Sequence, residues 1–221
     1  MKAGVVTFPG SNCDDDCLFA LEQVASVSAI RLWHKDKASL GEFDCVVLPG
    51  GFSYGDYLRT GAIASTSPIM ESIKEYAEKG GKILGICNGF QILCEAQLLP
   101  GALIKNQTQQ FICRDVELEV VEPRLWFSQL KTGTRITLPI AHGEGRYVVE
   151  AATLQEMKKN QQILLRYCED LNGSVEQIAG VTNREGNVCG MMPHPERASD
   201  LRSRDGLILW KSVFQKGLSP S

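Results

Sequence analysis

The short strand-like run Lys82 to Ile86 leads without a break into Gly85-Ile86-Cys87-Asn88-Gly89-Phe90-Gln91. No other stretch constrains the fold as much. A cysteine between a buried strand and a helix, with glycines at i−2 and i+2, has the spacing of a nucleophile elbow. The turn is so tight that larger side chains at the flanking positions would meet neighbouring backbone. Such an elbow lifts the cysteine above a sheet and aims the amides of the following helix at it. Those amides and the helix dipole favour a thiolate. The Asn88 N–H is a candidate donor to a developing oxyanion. An ordinary buried cysteine ahead of a helix would fit this segment taken alone, so the rest of the chain has to decide.

The alternation upstream agrees with an α/β architecture. Ala3 to Phe8 reads as a buried strand, and Pro9-Gly10 turns the chain. Ser11 is placed to cap a helix running to about Val24. Cys13, Cys17, Ala20, Leu21 and Val24 form its apolar stripe. Asp14, Asp15 and Asp16 fall in the first turn, where a solvated face complementing the macrodipole is the simpler explanation than a metal site. Strands follow near Val27 to Leu32 and Asp44 to Leu48. A helix near Thr66 to Glu78 ends at Gly80-Gly81. This β-α-β order predicts a largely parallel sheet with helices on both faces. From about Phe111 the pattern changes to strands joined by turns: Cys113 to Val121, Arg135 to Ile140, Arg146 to Val149, Ile163 to Tyr167 and Ile178 to Val181. These either extend the sheet or form a small antiparallel appendage. A final helix is expected near Leu201 to Phe214. With 221 residues and no linker or repeat, one domain over residues 1–221 is the simpler organisation.

Composition narrows the chemistry by exclusion. A net charge of −3 gives no electrostatic footprint for nucleic acid or an anionic membrane. No run of about 18 apolar residues predicts a membrane span, and the opening residues lack a signal peptide's apolar segment. Eight cysteines without a Cys-x-x-Cys pair are expected to be reduced thiols in a cytoplasmic protein. Scattered cysteines and three histidines offer no zinc-ligand spacing, so no metal is expected.

Two further segments complete a possible site. In Pro193-His194-Pro195-Glu196, an extended chain points residues i and i+2 to the same side, and Pro195 stiffens the link. Glu196 can then orient the His194 imidazole while the other ring nitrogen faces a thiol. That is the nucleophile, base and orienter logic of a catalytic triad. Pro49-Gly50-Gly51-Phe52-Ser53-Tyr54-Gly55-Asp56 follows the third strand, where open α/β sheets build their sites. The Gly51 N–H is a candidate to complete an oxyanion hole with that of Asn88. A phosphate loop of the Gly-x-x-x-x-Gly-Lys-Ser/Thr type is absent. His34, beside Trp33 near a strand end, reads as structural or solvated.

Taken in this order, the three elements resemble the class I, triad-type glutamine amidotransferases. The resemblance extends over nearly the whole chain through longer runs: Phe8-Pro9-Gly10-Ser11-Asn12-Cys13-Asp14, Gly51 to Arg59, Phe111-Ile112-Cys113-Arg114, Pro139 to Tyr147, and Gly190 to Arg197. These are similar to the branch of the family that serves purine biosynthesis. One departure is Asp170-Leu171-Asn172-Gly173-Ser174, where that branch often has Asn-Pro-Asn-Gly-Ser.

The resemblance implies a flavodoxin-like α/β fold and hydrolysis of L-glutamine to glutamate and ammonia. It implies Cys87 as nucleophile, His194 as proton carrier and Glu196 as its partner. Gly51 and Asn88 match the oxyanion-hole positions. Gln91 matches a glutamine-contacting position, and His142 is a candidate to touch substrate, line an ammonia path or meet a partner. No cofactor is implied in this chain. A separate large synthetase would bind ATP, magnesium and formylglycinamide ribonucleotide, and a small third subunit would bridge the two. A related cysteine-elbow hydrolase or chaperone, and a non-catalytic regulatory subunit, are the alternatives.

Overall fold

Strands that are apolar along their whole length need cover above and below, because no face is left for water. β3 (Cys45–Leu48) and β4 (Ile83–Ile86) are of this kind, as are the four central residues of β1 (Lys2–Thr7), and all of these are buried. The protein is described by a computed structural model covering residues 1–37, 39–199 and 205–214. β2 (Ser28–Trp33) pairs in parallel with β1 and leaves Ile30 and Trp33 partly exposed, as an edge strand does. The nine-stranded sheet has the order β2-β1-β3-β4-β11-β10-β9-β6-β7. From β2 to β11 the pairing is parallel. Beyond β11 (Val188–Met191), four strands extend the sheet with antiparallel pairing: β10 (Ile178–Thr182), β9 (Ile163–Tyr167), β6 (Ile112–Val120) and β7 (Arg135–His142). β5 (Ala102–Ile104) and β8 (Arg146–Val148) form a separate small ribbon.

The crossover through α1 (Asp14–Phe19) moves from β1 outward to β2, whereas that through α2 (Ile69–Glu78) moves from β3 the other way to β4. Right-handed crossovers in opposite directions set the two helices on opposite faces. The chain therefore reverses between β1 and β3, and the crevice at the carboxyl ends of strands beside such a reversal is where α/β sheets bind ligands. The isolated bridge Ser11↔Gly51 ties the β1 and β3 loops together there.

The structure corrects several sequence-based expectations. Ser11 does not cap α1. Its hydroxyl accepts from the Phe8 N–H at 3.2 Å, and the helix begins at Asp14 with Cys13 in the capping position. The helix does continue to Val24 through a π-helical turn, Ala20–Val24. Cys13, Cys17, Ala20 and Leu21 are buried as expected, while the Val24 side chain lies outside the described residues. Asp14 is not on a solvated face. Its buried carboxylate pairs with Arg31 and accepts from Thr7 Oγ1 at 3.0 Å. α2 starts three residues later than the periodicity suggests. Pro68 holds Ser67 extended at ψ 148°, as a residue before proline prefers. α4 (Ala151–Lys159), β5 and β11 had no clear sequence signal. The last helix, α5, is described as Asp205–Phe214, and residues 201–204 lie outside the described residues. His34 is buried, with its Nδ1 2.8 Å from the Tyr54 hydroxyl. Among the described residues, no helix is long and apolar enough to cross a membrane.

The elbow explains why two glycines are required. A Cβ on Gly89 would sit 1.9 Å from the Leu48 carbonyl oxygen, and one on Gly85 would sit 2.7 Å from Gly89 backbone. α3 (Asn88–Glu95) therefore packs backbone to backbone on the ends of β3 and β4. Gly89→Ala is expected to lose about 1–3 kcal/mol of stability from overpacking. Gly41→Ala has open space around the new methyl and should leave the urea unfolding midpoint unchanged, so the pair of variants checks the packing argument.

Candidate active site

Cys87 sits at the junction of β4 and α3 with φ +49° and ψ −104°. A non-glycine residue holds such a backbone only where its surroundings over-determine it, at a cost of order 1–3 kcal/mol. The determinants are visible. The Cys87 N–H donates to the Met191 carbonyl at 2.7 Å, and the Cys87 carbonyl accepts from Gln91 N at 3.1 Å. The parallel register Met191↔Ile86 carries β11 alongside β4. Cys87 is one residue past its strand and His194 is three past its own, so the two arrive together at the carboxyl edge.

His194 and Glu196 are both buried, and His194 Nδ1 is 2.6 Å from Glu196 Oε1. The loop carrying them is braced from three sides. The His194 N–H donates to the Pro139 carbonyl at 2.8 Å. Ser199 Oγ donates to the Pro195 carbonyl at 2.5 Å and accepts from the buried Trp210 of α5 at 3.0 Å. A Cβ on Gly206 would lie 2.0 Å from the Pro195 carbonyl, so α5 is pressed onto the loop. Burial by itself would lower the pKa of His194. The Glu196 carboxylate, helped by Cys87 and Cys13, outweighs that and raises it well above the usual histidine value. His194 Nε2 has no protein partner.

β7 is far from β4 in the strand order, yet the β6–β7 hairpin curls back over the strand ends. The Ala141 carbonyl lies 3.8 Å from Cys87 Sγ. His142 is buried, and its Nδ1 is 3.1 Å from Asn106 Oδ1. The Asn106 amide nitrogen is occupied in donating to the Gln110 and His142 carbonyls, both at 2.9 Å. Asn106 Oδ1 is thus the acceptor, so Nδ1 carries the hydrogen and Nε2 the lone pair. Burial, with His194 nearby, holds the His142 pKa down at about 4, so the ring is neutral near pH 7.

Two adjoining cavities of about 200 Å³ each share Gly51, Phe52, Cys87, Phe111 and Ala141 as walls. One extends to Asp56, Thr60, Gln91, His142 and Glu144. The other extends to Asn12, Cys13, His194 and Arg197. Gly51 has φ +137°, and a Cβ there would meet Asn12 N at 2.7 Å. Asn88 opens α3, where first-turn amides lack intrahelical acceptors. Gln91 lines the first cavity, but its amide also ties the site together. Ser53 N donates to Asn88 Oδ1 at 3.2 Å, Asn88 Nδ2 to Gln91 Oε1 at 2.9 Å, and Gln91 Nε2 to the Glu144 carbonyl at 2.7 Å. The Asn172 segment, which departs from the family run, is closed by local hydrogen bonds, Gly173 N to Asp170 Oδ1 at 3.2 Å and Ser174 N to Asn172 Oδ1 at 3.1 Å, and Asn172 Nδ2 ties it to the Gly145 carbonyl at 2.9 Å.

Sequence spacing missed Cys13. Its thiol lies with the His194 and Glu196 side chains in a group whose polar atoms are within 4.8 Å of one another. Arg197 Nη2 is 3.0 Å from that thiol, and Glu196 Oε1 is already bonded to His194. A guanidinium against the sulfur disfavours a cation there, so the group is better described as part of the histidine's surroundings. Asp56, Thr60 and Glu144 were also unassigned, because two separate loops, the β3–α2 connection and the turn after β7, bring them together.

An elbow cysteine at a strand end, a buried histidine–carboxylate pair on the neighbouring strand and a pocket between them match what a glutamine-hydrolysing domain needs. Residues 1–207 match the family described as CobB/CobQ-like glutamine amidotransferase domain, and the chain belongs to that family. Among named relatives, it is 53% identical over 220 residues to phosphoribosylformylglycinamidine synthase subunit PurQ of Nostoc sp., covering 98% of both chains. A solved structure of PurLQS from Thermotoga maritima superposes with a TM-score of 0.88 at 44% identity over 96% of each chain. A further glutamine amidotransferase from Thermotoga maritima shares the fold, with a TM-score of 0.57 at 18% identity over 89% of this chain and 76% of that one.

A raised folded-state pKa means that the stabilisation from protonated His194 is fully present below the unfolded value of about 6.5. It is lost as pH rises through the folded-state value. Glu196→Gln leaves the buried imidazolium unpaired. It is expected to cost about 3–5 kcal/mol below pH 6.5, with the gap to wild type narrowing as pH rises. Urea unfolding of both proteins across that range checks the sign.

Proposed function

We propose that this chain is the glutaminase subunit of a phosphoribosylformylglycinamidine synthase. It forms one amidotransferase domain over residues 1–221, works in the cytoplasm and needs no cofactor of its own. The single observation that carries the reading is the meeting of Cys87 and the buried His194–Glu196 pair beside a pocket, in a chain about half identical to named PurQ proteins along its length.

In this reading Cys87 Sγ attacks the side-chain amide carbon of L-glutamine. The proton already held on His194 passes to the departing nitrogen, which leaves as ammonia. The γ-glutamyl thioester is hydrolysed by water, with His194 taking the water's proton and so returning to the imidazolium as the sulfur departs. Glu196 holds the ring and stabilises the imidazolium. The Gly51 and Asn88 amides receive the tetrahedral oxyanion. Gln91 and His142 contribute to the substrate side of the pocket. Ammonia goes to a separate large synthetase, which binds Mg-ATP and converts formylglycinamide ribonucleotide to its amidine, with a small subunit bridging the two. Transfer inside a complex keeps ammonia from being protonated in bulk water.

Cys87→Ala is expected to lower glutamate release and glutamine-dependent amidine formation by about 10³-fold or more. Synthesis driven by added ammonia in the reconstituted complex should stay at the wild-type rate. Loss of both activities would instead assign Cys87 to the fold or the subunit contact.

A further inference from the structure

The Cys87 cavity that reaches Gln91 ends in a distinctive set of groups. Asp56 and Glu144 both line it, one from the β3 loop and one from the turn after β7. Asp56 Oδ1 is buried and has no partner in the protein. Glu144 Oε2 accepts from the Thr60 hydroxyl at 2.9 Å, which fixes the carboxylate. His142 lines the same cavity, is 3% exposed and leaves its Nε2 lone pair unpartnered. No lysine or arginine is among the described residues lining this cavity. The polar side chains here therefore supply acceptors and negative charge. Asp56 is also held in place by backbone: Tyr54, Gly55 and Asp56 all have positive φ, at +54°, +66° and +56°. Tyr54 and Asp56, which are not glycines, hold that backbone at a cost, and the turn carries Asp56 back against the cavity.

Buried acceptors without partners call for a donor from the ligand. Two carboxylates close enough for Glu144 to add to the effect of burial on Asp56, whose pKa rises to about 6, are relieved by a cation. On the glutaminase reading above, on which this inference rests, the substrate carries such a group: the α-ammonium, at the opposite end from the amide that Cys87 attacks. We propose that Asp56 and Glu144, with His142 as a neutral acceptor, form the subsite that recognises the α-ammonium of glutamine and so selects the free amino acid. Asp56 and Glu144 accept from the ammonium and set its position. They take no part in bond making.

The test uses the reconstituted complex with its synthetase, small subunit, ATP and formylglycinamide ribonucleotide. Release of the acid product is measured by chromatography from L-glutamine and from glutaramate, which has the same amide but no α-amino group. Asp56→Asn and Glu144→Gln are each expected to lower kcat/KM for L-glutamine about 10- to 100-fold, the loss of a charge-assisted contact. The loss should fall on KM, with kcat kept and glutaramate turnover unchanged. Equal losses on both compounds would overturn the proposal in favour of a structural role. So would an unchanged preference for glutamine in both variants. A wild-type complex that hydrolyses neither compound would overturn the glutaminase reading itself, and the subsite with it.

Discussion

The contact of Gly89 with the Leu48 carbonyl is the constraint on which the rest of the structure depends. It lets α3 lie on the ends of β3 and β4 with no side chain between. That closeness forces the chain to reverse within one residue, and the residue is Cys87, with its positive φ. A reversal of this kind puts the sulfur above the sheet and the first amides of α3 beside it. The same strand ends carry the Gly50-Gly51 turn, so the thiol and its candidate oxyanion donors are set by one packing event. The thiol needs no flexible loop to reach its place.

A second interaction makes the site chemically useful. His194 and Glu196 are held together in a nearly water-free interior, where an unpaired charge would be costly. The structure meets that cost with rigid support: the Pro139 carbonyl on the His194 backbone, Ser199 and Trp210 behind the loop, and α5 pressed against Pro195. Two neighbouring histidines end in opposite states. His194 has a carboxylate and is favoured protonated, whereas His142 has only an amide oxygen and stays neutral. The imidazole is the same in both, and its partner decides the outcome.

Most of the α/β half was legible because local rules and tertiary packing agree there. Apolar runs at β1, β3 and β4 are buried on both faces, and the stripe Cys17, Ala20 and Leu21 faces the core, with Cys13 turned to His194 instead. The misreadings have local causes. Ser11 has a capping side chain, but the loop holds it in a bridge to Gly51. Asp14 looks like a solvated first-turn acid, but Arg31 on β2 covers it. β11 hid behind its own glycine: a side chain at Gly190 would strike Phe90 at 2.1 Å, so a residue that weakens strand propensity is required by packing.

The chain by itself determined the elbow, the His-x-Glu pair and the glycine turn after β3. Each depends on neighbours a few residues apart, where geometry follows from backbone sterics. Only the tertiary structure decided that β11 inserts next to β4 and brings His194 to Cys87. The same holds for the return of the β6–β7 hairpin over the strand ends, for Cys13 and Arg197 flanking the histidine, and for Asp56, Thr60, His142 and Glu144 meeting in one cavity. The segments that carry those groups are tens of residues apart in sequence. Their meeting depends on strand order and register, which pairing across the whole sheet sets and no local pattern encodes.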